Sequence, residues 1–199
     1  LEIENITVPI KSLFDNFMEN VAKENKMDLA EENLQSRLRG VILMFFSNRE
    51  NRLLLSTGNK SEVACGYGTL YGDMCGGFNP IADLTKTNVY KLSNWINRNG
   101  EIIPQEIIDK APSAELRPNQ KDQDSLPEYA VLDGIIEDYI ENQMSYEDLT
   151  SKYDKQTVDK TLKLIYRAQF KRNQGCMGVR LTENAFCANV KLPVLQKCY

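Results

Sequence analysis

The residues best suited to chemistry lie between positions 53 and 86, and the last of them, Lys86, stands at the start of a predicted helix, 87–98. The positive end of the helix dipole disfavours a cation in a first turn. An anionic ligand beside Lys86 would remove that conflict. Asp83 and Thr85 have a simpler interpretation, because either side chain can cap the first turn of this helix.

Glycines are concentrated in the same stretch, where five of the chain's eleven fall within twelve residues: Gly66, Gly68, Gly72, Gly76 and Gly77. Before them, the apolar run 53–55 and the polar turn 56–62 predict a buried strand that leads into a short helix, 60–67. In open α/β sheets, ligands bind beyond the carboxyl ends of strands, where helix N-termini present free N–H groups. The sequence therefore predicts a ligand site at this junction. Glu62 also has a purely structural interpretation, because it follows Asn59 at the spacing of a capping box.

A second polar group lies on one face of another predicted helix, where Asn33, Arg37 and Gly40 recur at spacings of four and three. A glycine inside a helix costs about 1 kcal/mol relative to alanine. Its place in line with a polar pair indicates that something approaches the backbone closely there. The alternative is that Asn33 lies near the helix N-terminus and Arg37 is solvated.

The cysteine and histidine content excludes several kinds of site. The chain has no histidine, and its cysteines form no C-x-x-C pair: Cys65, Cys75, Cys176, Cys187 and Cys198. This excludes a Cys–His nucleophile and disfavours a zinc site. We interpret the thiols as reduced, in a cytoplasmic protein.

Length and charge place the chain among ordinary globular proteins. Its 199 residues suit one domain, 1–199, or part of a larger one, and a net charge of −4 gives no indication of a nucleic-acid surface. No apolar segment approaches the length that spans a membrane, and no signal-peptide pattern opens the chain. Because the first residue is Leu1, we expect a fragment or a processed form.

Hydrophobic periodicity predicts most of the remaining elements. The predicted helices are 11–23, 34–46 with an apolar face (Leu34, Leu38, Val41, Ile42, Phe45), 87–98 with a buried stripe (Val89, Leu92, Trp95, Ile96), 105–109, 127–141 and 155–172. The segment 6–10 predicts a short strand in which Pro9 favours an edge. Residues 104–127 hold four of the seven prolines, and irregular segments of this length are usually functional lids or linkers.

Four sequence motifs resemble the NAD synthetase family, most of all the synthetase module of its long, glutamine-dependent form. They are ENLQSRLRG (32–40), LSTGNKSEVACGYGTLYGDMCGGFNPIADLTKT (55–87), KAPSAELRPNQKDQDSLPEY (110–129) and FKRNQG (170–175). The resemblance covers nearly all of the chain. It implies a Rossmann-like layered α/β fold of the ATP-pyrophosphatase (adenine nucleotide alpha hydrolase-like) type, incomplete at its N-terminus.

The resemblance also implies an activity. Members of this family activate the nicotinate carboxylate of deamido-NAD with ATP and Mg²⁺, forming an acyl-adenylate and releasing pyrophosphate. Ammonia, supplied in the long form from glutamine by a separate domain, then gives NAD and AMP. The family resemblance further implies a homodimer with deamido-NAD near the interface, and helix 34–46 is the candidate interface element. A core helix is the alternative for that segment.

Individual site residues follow from the same resemblance. The ATP contacts would be Thr57, Lys86 and Ser113, and the deamido-NAD contacts would be Asn33, Arg37, Glu62, Tyr67 and Lys171. Glu62 would also hold Mg²⁺, and Lys86 and Glu62 would be the catalytic pair. Residues 104–127, which include Ser113, would then form a lid that orders over ATP.

One departure from the family pattern limits this interpretation. The family opens the module with a Ser-Gly-Gly-x-Asp-Ser loop that cradles the ATP phosphates, and the chain contains no such sequence. Backbone N–H groups of this kind supply much of the stabilisation in phosphate chemistry. We therefore expect either part of a longer synthetase, inactive as an isolated chain, or an inactive remnant that keeps substrate-binding or dimerisation surfaces. A different ATP-pyrophosphatase, such as a GMP synthetase, is a weaker alternative, because Asn33, Arg37 and the GDMCGGF run argue against it.

Overall fold

The fold is helical in a computed structural model that describes residues 3–22 and 26–194. Its α-helices are α1 (Lys11–Val21), α2 (Leu29–Glu50), α3 (Lys60–Cys65), α4 (Lys86–Ile96), α5 (Gln105–Asp109), α6 (Tyr129–Ile136), α7 (Tyr146–Lys152), α8 (Lys155–Arg167) and α9 (Gln169–Arg172). A π-helical turn, Glu137–Glu141, continues α6. All the predicted helices are present within about five residues of their expected ends. Residue 23, the expected end of the first helix, and Cys198 lie outside the described residues. The cysteines within the described residues are free thiols.

The two predicted strands are wrong for the residues that the structure describes. Residues 6–10 have no regular structure, and the run 53–56 makes one isolated parallel bridge, Leu55 to Phe78. A second bridge joins Asn79 to Gly178. An apolar run forms a strand only when it pairs with a second strand. Among the described residues, the run 53–56 makes only two backbone hydrogen bonds to residues 76–79. The layered α/β sheet is therefore not seen within 3–22 and 26–194.

The core lies between α3, α6, α8 and the π turn. Leu132, Ile136 and Ile165 are fully buried there with Ala64, so α6 and α8 turn apolar side chains toward the core. The predicted buried stripe of α4 is not confirmed, because Leu92 and Trp95 are 41% and 59% exposed. Over the described residues, no helix is both long enough and apolar enough to cross a membrane.

Helix α2 packs through its polar face rather than its apolar one. Asp28 and Glu31 form a complete capping box at its start, and its buried residues are Ser36 and Gly40. The predicted apolar face instead points outward in part, with Val41 and Phe45 65% and 59% exposed. The polar face is buried because residues 69–75, part of the glycine-rich segment 66–77, lie against it.

Gly40 is a point of close approach between the two backbones, as its position beside Asn33 and Arg37 predicted. A Cβ built at Gly40 would lie 2.8 Å from the Tyr71 carbonyl oxygen and 3.2 Å from that of Gly72. Backbone atoms cannot turn aside as a flexible side chain does. Gly40 therefore fixes how closely α2 and the glycine-rich segment pack.

Gly40→Ala is expected to lower the free energy of unfolding by up to about 2 kcal/mol, because forcing extra atoms into a packed contact costs about 1–3 kcal/mol. The higher helix propensity of alanine offsets about 1 kcal/mol of this cost. Urea denaturation of the variant measures the difference. Asn48→Ala, on an exposed part of the same helix, is the control and is expected to leave stability unchanged or slightly raised. A Gly40→Ala protein as stable as the control would contradict the close packing.

Candidate active site

One cavity of about 1080 Å³ brings together most of the residues predicted to bind ligands. Its walls are the start of α2, helix α3 with the glycine-rich segment that follows, and residues 113–125. Seven of the eight predicted site residues line it: Asn33, Thr57, Glu62, Tyr67, Lys86, Ser113 and Lys171. The eighth, Arg37, does not. It lies exposed on α2, and its Nε donates to the Leu70 carbonyl at 3.2 Å.

Glu62 and Lys86 form an ion pair at the wall of the cavity, with Glu62 Oε1 3.4 Å from Lys86 Nζ. The predicted capping box is also confirmed, because Glu62 Oε2 accepts the Asn59 N–H at 3.0 Å and Asn59 Oδ1 accepts the Glu62 N–H at 3.0 Å. Burial raises the pKa of the Glu62 carboxyl, although Lys86 and the Asn59 N–H oppose the shift. The capping box and the ion pair of Glu62 thus use different oxygens.

A buried serine and aspartate set the directions of α3 and α4. Ser61, which is fully buried in α3, donates its hydroxyl to Asp133 Oδ1 and accepts the Lys86 N–H at 2.9 Å. The other oxygen of Asp133 accepts the Thr87 N–H at 2.8 Å. Side chains from α3 and α6 therefore cap α4, and the suggestion that Asp83 or Thr85 caps it is wrong. Thr85 makes no side-chain cap bond.

The turn that carries Thr57 is held from behind by Asn79. Asn79 is buried, and its Nδ2 donates to the Gly58 carbonyl at 2.7 Å. Thr57 itself is exposed toward the cavity. The turn thus presents a hydroxyl beside the ion pair from a fixed backbone.

Lys171 reaches the cavity from α9 and binds backbone carbonyls of the glycine-rich segment. Its Nζ donates to the carbonyls of Gly66 and Gly68 at 2.8 and 2.6 Å. Burial lowers the pKa of Lys171, while Asp73 opposes the shift and Arg37 adds to it. Gly66 has a φ of 65°, the left-handed conformation that ends α3 and favours glycine. Tyr67 lies between the two glycines whose carbonyls Lys171 binds, so its backbone is held at the cavity wall.

Asn33 and the segment 104–127 complete the walls. Asn33 Oδ1 accepts the Thr69 hydroxyl at 2.6 Å, which ties α2 to the glycine-rich segment. Ser113 is half-buried and its Oγ accepts the Glu115 N–H at 3.1 Å. The segment is fixed to α2 by a bond of 3.0 Å from Gln35 Nε2 to the Leu116 carbonyl.

Several residues of the site were missed by sequence reasoning. Asp73 lines the cavity, and its Oδ1 accepts the Ser36 hydroxyl at 2.8 Å and the Thr69 N–H at 2.9 Å. Asp122 is buried at the end of segment 104–127 and accepts the Tyr129 hydroxyl at 2.7 Å. Both lie inside the quoted motifs, Asp73 in GDMCGGF and Asp122 as the first aspartate of KDQDS. The available signal was a charge among glycines for Asp73 and a charge shortly before a buried helix for Asp122.

The donor chemistry of the cavity fits a hard cation bound mainly through phosphates. Within 3–22 and 26–194, no three or more His, Cys, Asp or Glu side chains are grouped as a metal cage. Mg²⁺ does not need one, because it usually keeps several waters and binds substrate phosphates with one or two carboxylates. Glu62, which faces the cavity with one carboxylate oxygen beside Lys86, can supply such a ligand.

Comparisons with known proteins agree on one family. A family model described as NAD synthase matches residues 1–175. The glutamine-dependent NAD(+) synthetase of Synechocystis sp. is 45% identical over 189 residues, 94% of this chain and 34% of the relative. That of Thermotoga maritima is 44% identical over 203 residues, 99% of this chain and 35% of the relative. The chain thus spans about a third of the length of these curated relatives.

Solved structures of related proteins share the fold. An NMN synthetase from Francisella tularensis superposes with a TM-score of 0.71 at 25% identity, over 92% of this chain and 67% of that one. An NH3-dependent NAD synthetase from Campylobacter jejuni superposes with a TM-score of 0.64 at 26% identity, over 82% of this chain and 60% of that one. The chain therefore shares its fold with an NMN synthetase and an NH3-dependent NAD synthetase.

Proposed function

The chain belongs to the NAD synthase family, and we propose that it provides the synthetase site at which deamido-NAD is amidated to NAD at the expense of ATP. The observation that carries the proposal is the single cavity into which Glu62, Lys86, Thr57 and Ser113 converge with residues from α2 and α9. The cavity's 1080 Å³ is at the upper end of the range usual for ligand pockets. Such a volume suits a site that takes two nucleotides together.

The proposed chemistry proceeds in two steps. An oxygen of the nicotinate carboxylate attacks the α-phosphate of ATP, and pyrophosphate leaves. Ammonia then attacks the activated carbonyl carbon, AMP leaves with the bonding electrons, and the nitrogen that forms the amide loses a proton to water. Lys86 would stabilise negative charge on the phosphates, with Thr57 and Ser113 as further ATP contacts. Asn33, Tyr67 and Lys171, which line the cavity, would contact deamido-NAD.

Glu62 would hold Mg²⁺ in this proposal. When bound, Mg²⁺ would supply positive charge that offsets the charge of the phosphates. The chain itself positions the groups around the ion. The capping box holds Glu62 in place, and Lys86 faces Glu62 at 3.4 Å. The segment 104–127 would act as a lid over ATP, supported by Ser113 at the cavity wall and by the Gln35–Leu116 bond to α2.

The proposal extends to partners. A phosphate-cradling loop, which this sequence does not contain, would have to complete the ATP site in an ATP-pyrophosphatase fold. Ammonia from a glutamine-hydrolysing domain and a homodimer in a cytoplasmic enzyme complete the proposal. The exposed face of α2, with Val41 and Phe45, is the candidate dimer interface. A remnant that binds deamido-NAD without turnover is the alternative.

A second candidate substrate is the deamido form of NMN. Its support is the TM-score of 0.71 with the NMN synthetase of Francisella tularensis. The two substrates share the nicotinate ring and differ in whether an AMP half is attached. Deamido-NAD is favoured because the curated relatives at 44–45% identity are glutamine-dependent NAD(+) synthetases.

Deamido-NAD is expected to bind the chain in calorimetric titration, and Asn33→Ala is expected to weaken that binding by up to about tenfold. The size follows from the loss of one hydrogen bond to the ligand, about 0.5–1.5 kcal/mol. Asn48→Ala, an exposed asparagine on the same helix outside the cavity, is the matched control and should bind as the unsubstituted chain does.

Two results would change the proposal. Equal affinity for deamido-NAD and for the deamido form of NMN would favour the second candidate, because the AMP half would then contribute nothing. No binding of either nucleotide, together with no NAD formed from deamido-NAD, ATP, Mg²⁺ and ammonia, would contradict the proposed function. Binding without turnover, in a chain completed by a phosphate loop, would identify the remnant.

A further inference from the structure

A segment beyond the region matched by the family model bonds to residues that support the site. The match ends at residue 175, and residues 177–184, here called the C-terminal segment, follow it. The Asn79 N–H donates to the Met177 carbonyl at 2.7 Å, and Asn79 forms a parallel bridge with Gly178. Further along, Asp83 Oδ2 accepts the Leu181 N–H at 2.8 Å and the Thr182 N–H at 2.7 Å.

The C-terminal segment supplies partners for a buried cation, Lys60, which is the first residue of α3 and 1% exposed. Its Nζ lies 2.8 Å from Asp83 Oδ1 and donates to Thr182 Oγ1 at 2.9 Å. It also pairs with Glu141 at the end of the π turn, and donates to the Asn184 carbonyl at 3.2 Å. A buried ammonium without such partners would be strongly destabilising, so the position of Lys60 depends on this segment.

The carboxylates around Lys60 are themselves held by the same segment. Thr182 Oγ1 donates to Asp83 Oδ2 at 2.8 Å, and Glu141 Oε2 accepts the Asn184 N–H at 3.0 Å. Burial alone would raise the pKa of Asp83, but the bonds from Lys60, Thr182 and Leu181 lower it below its usual value. Asp83 is therefore an anion that the C-terminal segment and Lys60 stabilise together.

Two hydrogen bonds connect Lys60 and the C-terminal segment to the wall of the cavity. The Lys60 N–H donates to the Leu84 carbonyl at 2.7 Å, and Lys60 stands two residues before Glu62. On the other side, Asn79, which the segment pairs with, donates to the Gly58 carbonyl at 2.7 Å. The turn 57–62, with Thr57 at one end and Glu62 at the other, is thus fixed at both ends.

We propose that the C-terminal segment is a positioning element of the nucleotide site, and that Thr182 acts on Thr57 and Glu62 through Lys60. The effect on ligand affinity rests on the proposed function, whereas the effect on the turn 57–62 does not. A segment that merely stabilised the fold would raise the frequency of unfolding everywhere equally. A positioning element loosens the turn more than the rest of the core.

The test compares amide hydrogen exchange in three variants of the full chain without ligand. Thr182→Val keeps the shape of the side chain but removes the bonds to Lys60 and Asp83. Thr182→Ser keeps the hydroxyl. Asn189→Ala is the control for a general loosening of the C-terminal part of the chain, because its side chain accepts the Ala185 N–H at 2.9 Å and donates to the Glu183 carbonyl at 2.9 Å but does not bond Lys60 or Asp83.

Thr182→Val is expected to speed exchange of the Lys60 and Glu62 amides about tenfold more than that of the Ile165 amide in the core, since hydrogen bonds to charged groups are involved. Thr182→Ser should restore the unsubstituted pattern, and Asn189→Ala should change all three amides alike or not at all. Equal acceleration of all three amides in Thr182→Val would overturn the proposal. So would an unchanged rate at Lys60 and Glu62.

A second measurement separates this proposal from the proposed function. Where the unsubstituted chain binds deamido-NAD, Thr182→Val is expected to weaken binding at least threefold beyond Asn189→Ala. Unaltered affinity would overturn the effect on the site even if exchange changes. Where the unsubstituted chain does not bind deamido-NAD, the proposed function fails, and hydrogen exchange alone decides whether the segment positions the turn.

Discussion

In a chain completed by a phosphate loop, replacing Glu62 with glutamine is expected to lower the rate of NAD formation by about 10²–10³-fold while changing the free energy of unfolding by less than about 1 kcal/mol. The two quantities separate because the carboxylate has two roles. Oε2 accepts the Asn59 N–H at 3.0 Å, and glutamine serves as well as glutamate at this position of a capping box. Oε1 faces Lys86 Nζ at 3.4 Å, and its charge is lost in the variant.

The electrostatics of Glu62 support this separation. Burial raises the pKa of its carboxyl despite Lys86 and the Asn59 N–H. A folded-state pKa above the unfolded value means that ionisation of Glu62 lowers stability as pH rises through the unfolded pKa. Removing the charge therefore costs no stability at neutral pH. Under the proposed function, binding of Mg²⁺–ATP needs that charge, so it is expected to weaken in acid at a higher pH than the ordinary glutamate pKa of 4.5 implies.

Glu31→Gln is the matched control for Glu62→Gln. Glu31 holds the same position in the capping box of α2, where its Oε2 accepts the Asp28 N–H at 2.9 Å, but it does not line the cavity. Calorimetric titration with Mg²⁺–ATP across pH, NAD formation and urea denaturation are measured on both. Unchanged rate and affinity in Glu62→Gln would remove Glu62 from the site. A stability loss above about 2 kcal/mol, with Glu31→Gln stable, would make Glu62 chiefly structural.

Local patterns predicted the helices and the capping box because those depend on residues three or four positions apart. Asn59 and Glu62 are three apart, and the stripe of α6 repeats at helical spacing. The buried strand at 53–56 failed for the opposite reason. A strand requires a neighbour from elsewhere in the chain, and among the described residues Phe78 alone provides a bridge.

The polar framework beneath the site escaped sequence reasoning because its partners are distant in the chain. Ser61 and Asp133 are 72 residues apart, and Lys60 and Thr182 are 122 apart. Periodicity carries no information about such pairs. One signal was present, since Asp133 interrupts an otherwise apolar helix stripe between Leu132 and Ile136, and a charge in that place requires buried partners.

Asp133→Asn is expected to lower the free energy of unfolding by about 2 kcal/mol and to weaken nucleotide binding as well. Asp133 is 2% exposed and accepts from two donors, the Ser61 hydroxyl and the Thr87 N–H. An asparagine has one acceptor oxygen and presents an NH₂ to the other donor, so one buried donor loses its partner at a cost of about 1–3 kcal/mol. Asp133→Ala removes both acceptors and leaves a void, so it should cost more than Asp133→Asn.

Asp159→Asn is the matched control, because Asp159 is exposed on α8 and forms a surface ion pair with Lys155 at 2.7 Å. Surface pairs of this kind contribute about 0–1 kcal/mol, so the control should stay close to the unsubstituted chain in urea denaturation. Ser61→Ala combined with Asp133→Asn tests the pair directly. Since the two side chains share one hydrogen bond, the double variant should lose less stability than the sum of the single variants. Additive losses would show that the two residues act independently.

The Asp133 and Glu62 variants together distinguish how the site is made from what it does. Ser61 and Asp133 hold the first N–H groups of α4, so their loss moves the backbone that carries Lys86, and stability and nucleotide affinity should fall together. Glu62→Gln leaves that backbone in place and removes only charge, so affinity and rate should fall alone. An Asp133→Asn protein that loses stability but binds Mg²⁺–ATP as tightly as the Asp159→Asn control would show that Lys86 keeps its position without the cap. The orientation of α4 would then have to come from its packing against α6 rather than from the buried carboxylate.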